Sequence, residues 1–253
     1  MQMTQLVQKL GRTDVKLIGR DRFLLFLSGF MVYIALALRW GLPWVNEYLI
    51  ENGVMPGERI DFTLATTYPM LVGYMSIFTG GLIVGTVFGF VLIDEKDNNT
   101  LQAMLVTPVP LRSYLWYRAG VPALLAFVFI MASVWFVNLA LLPWWQMVLV
   151  AMAGSLTAPM VTLFYALLAN NKVEGFAYSK FMGIAGMTIL GGWFVAEPYQ
   201  WLLGIFPPFL VCKAYWLALE GSGMWWLVLV GSVVYHLVVI RGLMVLMERK
   251  VYG

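Results

Sequence analysis

The sequence predicts an all-α integral membrane protein with six transmembrane helices and both termini in the cytoplasm, and three observations carry that reading. Hydrophobic residues make up 61% of the chain and charged ones only 11%, with a mean hydropathy of +0.82, too apolar for a soluble globular domain. The apolar runs are long and unbroken. Helices that cross roughly 30 Å of hydrocarbon with about 20 residues each need such runs, whereas a barrel would show short alternating segments. Lysine and arginine are divided unequally between the connections, which sets orientation.

Residues 1–22 form an amphipathic surface helix that precedes the membrane domain. Leu6, Val7, Leu10, Leu17 and Ile18 make one face, and Lys9, Arg12, Lys16 and Arg20 make a basic face suited to anionic lipid headgroups. This stretch lacks the short apolar core and small-residue site of a cleavable signal.

Residues 23–253 hold the six spans, expected at 23–38, 68–93, 119–142, 145–169, 181–196 and 224–245. Lys96, Arg112, Arg118, Lys172, Lys180, Arg241, Arg249 and Lys250 join the basic surface helix on one side, against Arg39, Arg59 and Lys213 on the other. That asymmetry makes the first side cytoplasmic. The outer connection 39–67 is long enough for a small surface helix anchored by Trp44, Tyr48, Leu49 and Ile50. In the second span Gly81, Gly85 and Gly89 recur every four residues, leaving one face bare so that another helix can approach closely. Gly183, Gly186, Gly191 and Gly192 suggest a similar surface in the fifth. Residues 197–223 are too polar and proline-broken for a span, yet 201–210 is strongly apolar. Three readings fit: a half-membrane dip, an interfacial helix pair, or an outer loop anchored by Trp201, Tyr215 and Trp216.

Several kinds of chemistry are ruled out by what the chain lacks. His236 is the sole histidine and Cys212 the sole cysteine, so there is no disulfide, no His-Glu-x-x-His pair and no thiolate cage for zinc. Gly221-Ser222-Gly223 lacks the context of a nucleophilic serine. The span cores contain no Asp or Glu, the groups that ion-coupled carriers keep inside the membrane. No G-x-x-x-x-G-K-[ST] loop is present to cradle nucleotide phosphates. No catalytic residue, cofactor, metal or nucleic-acid partner is therefore expected on this chain, and uphill transport would draw its energy from a separate subunit.

The segment 94–118 is the most charged internal stretch. Asp94, Glu95, Lys96 and Asp97 end an apolar run, and Asp97, Asn98 or Asn99 can cap a short helix that Pro108 and Pro110 stop. Leu101, Met104 and Leu105 fall at i, i+3 and i+4, one apolar stripe that needs a cover. A partner protein is the expected cover.

The order Glu95, Thr100-Leu101, Thr107-Pro108, Tyr114-Leu115 and Arg118 resembles the membrane subunits of type-2 ATP-binding-cassette exporters, close in layout to bacterial fluoroquinolone-export permeases. Arg118 stands where that family usually has lysine. The resemblance implies a permease in the cell membrane, paired with a second permease chain and with two copies of a cytoplasmic ATPase that binds ATP and Mg. Asp94, Glu95, Asp97, Thr100, Leu101, Met104, Leu105, Pro108, Tyr114 and Arg118 would form the ATPase-coupling element, braced by the surface helix carrying Lys9, Arg12, Lys16 and Arg20. The cargo would be a hydrophobic or amphipathic small molecule. The alternative is a carrier or channel that works without an ATPase.

Overall fold

The computed structural model describes the backbone over residues 3–52, 64–98 and 111–252, and side chains over 10–52, 64–98 and 113–250. Every element among them is helical. α1 (Met3–Arg20) stops at Asp21, whose carboxylate accepts from the Phe23 and Leu24 amides at 2.9 and 3.3 Å and so caps α2 (Arg22–Leu36). A side-chain oxygen there satisfies N–H groups that the first helical turn leaves free. The helical path continues past Arg39, where the apolar run ends. A widened turn at Ala37–Gly41, in which the Leu42 amide bonds the Ala37 carbonyl five residues back, leads into α3 (Leu42–Glu51). The helix expected on the outer surface is thus continuous with the first long helix.

A 3-10 turn (Leu64–Thr67) leads into α4 (Tyr68–Val72), a second widened turn (Gly73–Phe78) and α5 (Thr79–Asp97). There follow α6 (Leu111–Val137), α7 (Trp144–Ser155), α8 (Thr157–Leu168), α9 (Lys172–Trp193), a 3-10 stretch (Tyr199–Ile205), α10 (Pro207–Leu219) and α11 (Trp225–Tyr252). α7 and α8 are one helix interrupted once. Pro159 has no N–H to offer the Ser155 carbonyl, and the chain tightens at Leu156, whose amide bonds Ala153 O at 3.2 Å.

Among the described residues, five stretches are long and apolar enough to cross a membrane: Arg22–Glu51, Leu64–Asp97, Ser113–Val137, Trp144–Leu168 and Trp225–Lys250. α9 is not among them; Lys172, Glu174 and Lys180 stand in its first half. It begins at Lys172, ahead of the 181 expected, because the Asn171 side chain caps it by accepting from the Glu174 amide at 3.0 Å.

α5 is the central helix. Of the most apolar part of Leu64–Asp97, 89% is buried, against 28% for Arg22–Glu51 and for Trp225–Lys250, whose outer faces stay exposed. Its Gly81, Gly85 and Gly89 lie against α8. A Cβ on Gly85 would stand 2.6 Å from the Ala158 carbonyl oxygen, and one on Gly89 2.5 Å from the Tyr165 ring, so any larger residue would force the helices apart. Thr162 Oγ1 uses this closeness to donate to Gly85 O at 3.1 Å. In α9, Gly186 packs on Phe78 and Gly192 on Phe209, while Gly183 and Gly191 face open space.

Polar contacts identify the two ends of the bundle. At one end Lys96 Nζ, near the end of α5, donates to Ala166 O and Ala169 O at 2.9 and 2.7 Å. Lys250 Nζ, near the end of α11, donates to Leu167 O at 2.9 Å. A cation on the carbonyls of a helix C-terminus opposes the dipole's negative end. At the other end Arg39 Nη1 donates to Val137 O at 3.2 Å, Trp216 Nε1 to Pro69 O at 3.1 Å and Tyr215 OH to Ala140 O at 2.5 Å. α10 is buried along nearly its whole length, and Lys213 within it bonds Glu197 at 2.6 Å.

Candidate functional site

The end of the bundle that holds Lys96 and Lys250 also holds a buried charge cluster built from three elements. α6 contributes Tyr114, Tyr117 and Arg118, which at spacings of three and four share one face. α5 contributes Glu95 and α1 contributes Asp14. Arg118 is fully enclosed at 0% exposure, with Asp14 at 3% and Glu95 at 6%. Burying a guanidinium is expensive unless its donors are paired, and here the fork is used on three sides. Nη1 donates to Asp14 Oδ1 at 2.8 Å, Nη2 to Glu95 Oε1, and Nε to Tyr114 OH at 3.1 Å.

The tyrosines complete the shell. Tyr114 OH donates to Glu95 Oε2, and Tyr117 OH to Asp14 Oδ2 at 2.7 Å. Their rings flank the guanidinium, whose carbon lies 5.2 and 5.4 Å from the two centroids, within cation–π range. Removing one member of a buried pair typically costs about 3–5 kcal/mol, because the partner charge is left uncompensated. The cluster clamps α1, α5 and α6 together.

A second tie lies beside it, nearer the surface. Lys172 Nζ, at the start of α9, bonds Asp21 Oδ2 at 2.8 Å and Asp94 Oδ1 at 3.0 Å. The Lys172 ammonium holds the Asp21 carboxyl below its ordinary value. The start of α9, the junction of α1 with α2 and the end of α5 are thereby joined.

Among the residues singled out from sequence, Asp94, Glu95, Tyr114 and Arg118 come together here. Glu95 and Arg118 turn inward, whereas Asp97, the last residue of α5, is exposed. Thr100, Leu101, Met104, Leu105 and Pro108 lie outside the described residues, as does the side chain of Lys9. Arg12, Lys16 and Arg20 are exposed along α1, while Leu10, Leu17 and Ile18 pack against the core.

Sequence reasoning missed Asp14, Tyr117 and Lys172. A signal for Asp14 existed: it stands four residues after Leu10 and four before Ile18, a lone acid on the apolar face of a basic helix. His236, 0% exposed in α11, sits apart from the cluster's contacts, with Nδ1 2.9 Å from Ser232 O. Among the described residues no group of three or more His, Cys, Asp or Glu is arranged to hold a metal ion.

Comparison with known proteins bears on this arrangement. Residues 14–244, which run from the cluster's aspartate almost to the end of α11, match the family model described as "Fluoroquinolones export permease protein Rv2686c-like". Two relatives named fluoroquinolones export permease protein, from the Mycobacterium tuberculosis strains CDC 1551 and H37Rv, are each 29% identical over 224 residues. Each alignment covers 85% of this chain and 83% of the relative.

Proposed function

The chain belongs to the Rv2686c-like fluoroquinolones export permease family, and from that premise we propose that it is the membrane permease of a drug exporter driven by a separate ATP-binding subunit. The observation that carries the reading is the buried cluster of Asp14, Glu95 and Arg118. Its members flank both ends of the connection between α5 and α6, and they join that connection to the surface helix. A force applied to the connection from the cytoplasm would reach α1, α5 and α6 together. An exporter powered from outside its own chain needs such a joint; a carrier worked by ions inside its spans does not.

In this reading the chain crosses the membrane six times. α9 makes the fifth crossing: its 22 residues give a length of roughly 33 Å at 1.5 Å per residue, enough for the hydrocarbon layer. It starts beside Asp94 and Asp21, and Gln200 Nε2 donates to Gly192 O near its far end, where Trp193 packs on Trp216. α10 then dips partway in: at 13 residues, or about 20 Å, it is too short to cross. Its enclosure by other helices suits backbone held at membrane depth. The end bearing Lys96, Lys172 and Lys250 faces the cytoplasm, in line with the basic excess there.

Two permease chains, identical or paralogous, would enclose the pathway, and two ATPase subunits carrying ATP and Mg would dock on 94–118. Leu101, Met104 and Leu105 would supply the apolar contact and Asp97 an exposed charge. Closure of the ATPase pair would shift the permease between inward- and outward-facing states, a population shift driven by nucleotide. The cargo is an amphipathic drug of the fluoroquinolone kind.

The test is affinity purification of the tagged chain from its native membrane, with an ATP-hydrolysis assay on what accompanies it. A stoichiometric nucleotide-binding subunit is expected, lost on Leu101→Glu. A chain that purifies alone and without hydrolysis would contradict the reading.

A further inference from the structure

Far from the charge cluster, α2 and α4 enclose a lateral cleft of about 450 Å³, within the range of roughly 300–1,000 Å³ common for small-molecule sites. Its backbone is unusual on both walls. Ala37 and Leu38 belong to the widened turn after α2, and Tyr74 and Met75 to the widened turn after α4. Single widened turns inside helices concentrate at functional sites, because each costs regular hydrogen bonding that packing alone does not require. Two such turns facing one cleft are hard to assign to span packing.

The side chains define an occupant. Phe30 and Tyr33 line the rim and stack at 5.9 Å with their planes 20° apart, and Phe26 extends the stack below. Tyr74 forms part of the wall. No charged residue lines the cleft. Among the described residues, no hydrogen bond engages the Tyr33 or Tyr74 hydroxyl. Flat aromatic walls favour a flat ring system, the lack of charge favours a ligand of zero net charge, and the free hydroxyls can each bond one polar substituent.

The groove between α7 and α11 makes a useful contrast. At about 430 Å³ it is nearly as large, but it is walled by aliphatic residues such as Leu149, Met152, Val230 and Leu237, and no widened turn borders it. It has the character of a surface for acyl chains.

We propose that the cleft between α2 and α4 is the binding site for exported cargo, and that it takes a planar fused-ring molecule of zero net charge entering sideways from the membrane. This rests on the export reading above. α4 and the widened turn at Gly73–Phe78 are also tied to α10, since Trp216 Nε1 donates to Pro69 O at 3.1 Å and Cys212 Sγ to Gly73 O at 3.3 Å. A shift of α10 would therefore change the shape of the cleft, a route for releasing cargo on the outer side.

The experiment uses the fluoroquinolone ciprofloxacin, a flat fused-ring zwitterion that fluoresces. Binding to the full chain in lipid nanodiscs is followed by anisotropy, and cellular accumulation is measured in parallel. Ala37→Phe fills the cleft from an exposed position, and Tyr33→Ala removes its rim. Each should weaken binding about tenfold and raise accumulation toward that of cells lacking the chain. Tyr74→Phe should weaken binding about fivefold through the lost hydroxyl alone.

Val230→Phe in the other groove should leave binding and export unchanged, and monodispersity with unaltered thermal unfolding checks that each variant is folded. If the wild-type chain binds and exports ciprofloxacin and Ala37→Phe and Tyr33→Ala do so equally well, the site is wrong and the export reading stands. If the wild-type chain neither binds the drug nor lowers its accumulation, both fail.

Discussion

The two ends of the bundle are built on opposite plans. At one, the buried side chains of Asp14, Glu95, Tyr114, Tyr117 and Arg118 satisfy each other, so α1, α5 and α6 cannot separate without exposing an unpaired charge. Toward the other, α2 and α4 carry widened turns, exposed rings and unengaged hydroxyls. Closely paired charges make a stiff joint, whereas irregular backbone beside a cleft can change shape at little cost. The export mechanism proposed above would use both: rigidity where force would enter and compliance where cargo would sit.

The largest expected effect comes from breaking the stiff end at its centre. Arg118→Met leaves Asp14 and Glu95 buried without their partner and should cost about 3–5 kcal/mol, read as a lowered unfolding midpoint in detergent. Adding Asp14→Asn and Glu95→Gln should restore most of the loss, because an apolar or neutral replacement of a whole buried network is often near neutral. A triple variant as unstable as Arg118→Met would mean that the cluster's value lies in packing and not in charge.

The close seam between α5 and α8 comes next. Gly85→Ala would put a Cβ 2.6 Å from the Ala158 oxygen, and overpacking of that kind costs about 1–3 kcal/mol. Gly183→Ala, where nothing lies within 4 Å, should leave the unfolding midpoint unchanged and serves as the comparison.

The outer tie is smaller. Lys172 and Asp21 are 39% and 24% exposed, so solvent screens the pair, and Lys172→Met should cost about 0.2–1 kcal/mol. The bond from Lys172 is the main cause that holds the Asp21 carboxyl below its ordinary 3.8. A carboxyl depressed in the folded state adds stability that is fully present above its unfolded value and lost as pH falls through the folded one. The wild-type chain should thus lose this increment on acidification below 3.8, and Lys172→Met should show a shallower acid limb in the same range.

At the compliant end, Tyr33→Ala should change stability by no more than about 0.5 kcal/mol, since the residue is 64% exposed. On the proposal for the cleft, its effect would fall on cargo binding. A large loss of stability there would erase the contrast between the two ends.

The long apolar runs were readable because a helix in lipid must be apolar over its whole length, and the helices over 22–51, 64–97, 113–137, 144–168 and 225–250 follow them. The start of α9 was not readable in the same way. Hydropathy falls at Lys180, but a helix begins where its first N–H groups find a cap, here at Asn171. The widened turns carry no periodic signature, and the turn at Ala37–Gly41 therefore fell across the expected boundary between the first span, 23–38, and the loop beginning at 39.

Glu95 and Arg118 stood out as motif residues of an element expected to face a partner protein, and nothing in their local sequence announced that they pair with each other inside the chain. Asp14 lies 104 positions from Arg118, and only its place on the Leu10, Leu17 and Ile18 face hinted at burial. Lys172 meets Asp21 across 151 positions, with no local pattern to announce it. Pairings of this kind belong to the fold and not to any stretch of sequence.

The most direct test of the joint is the Asp14→Asn variant, reconstituted with the ATP-binding subunit that we propose drives it and assayed for hydrolysis and drug export together. Asparagine keeps an oxygen for Arg118 but removes the charge that binds α1 to the cluster. On that proposal the subunit should remain bound and hydrolyse ATP while export falls severalfold, because force entering at 94–118 would no longer move the surface helix with α5 and α6. Export at the wild-type rate for each ATP hydrolysed would contradict the account.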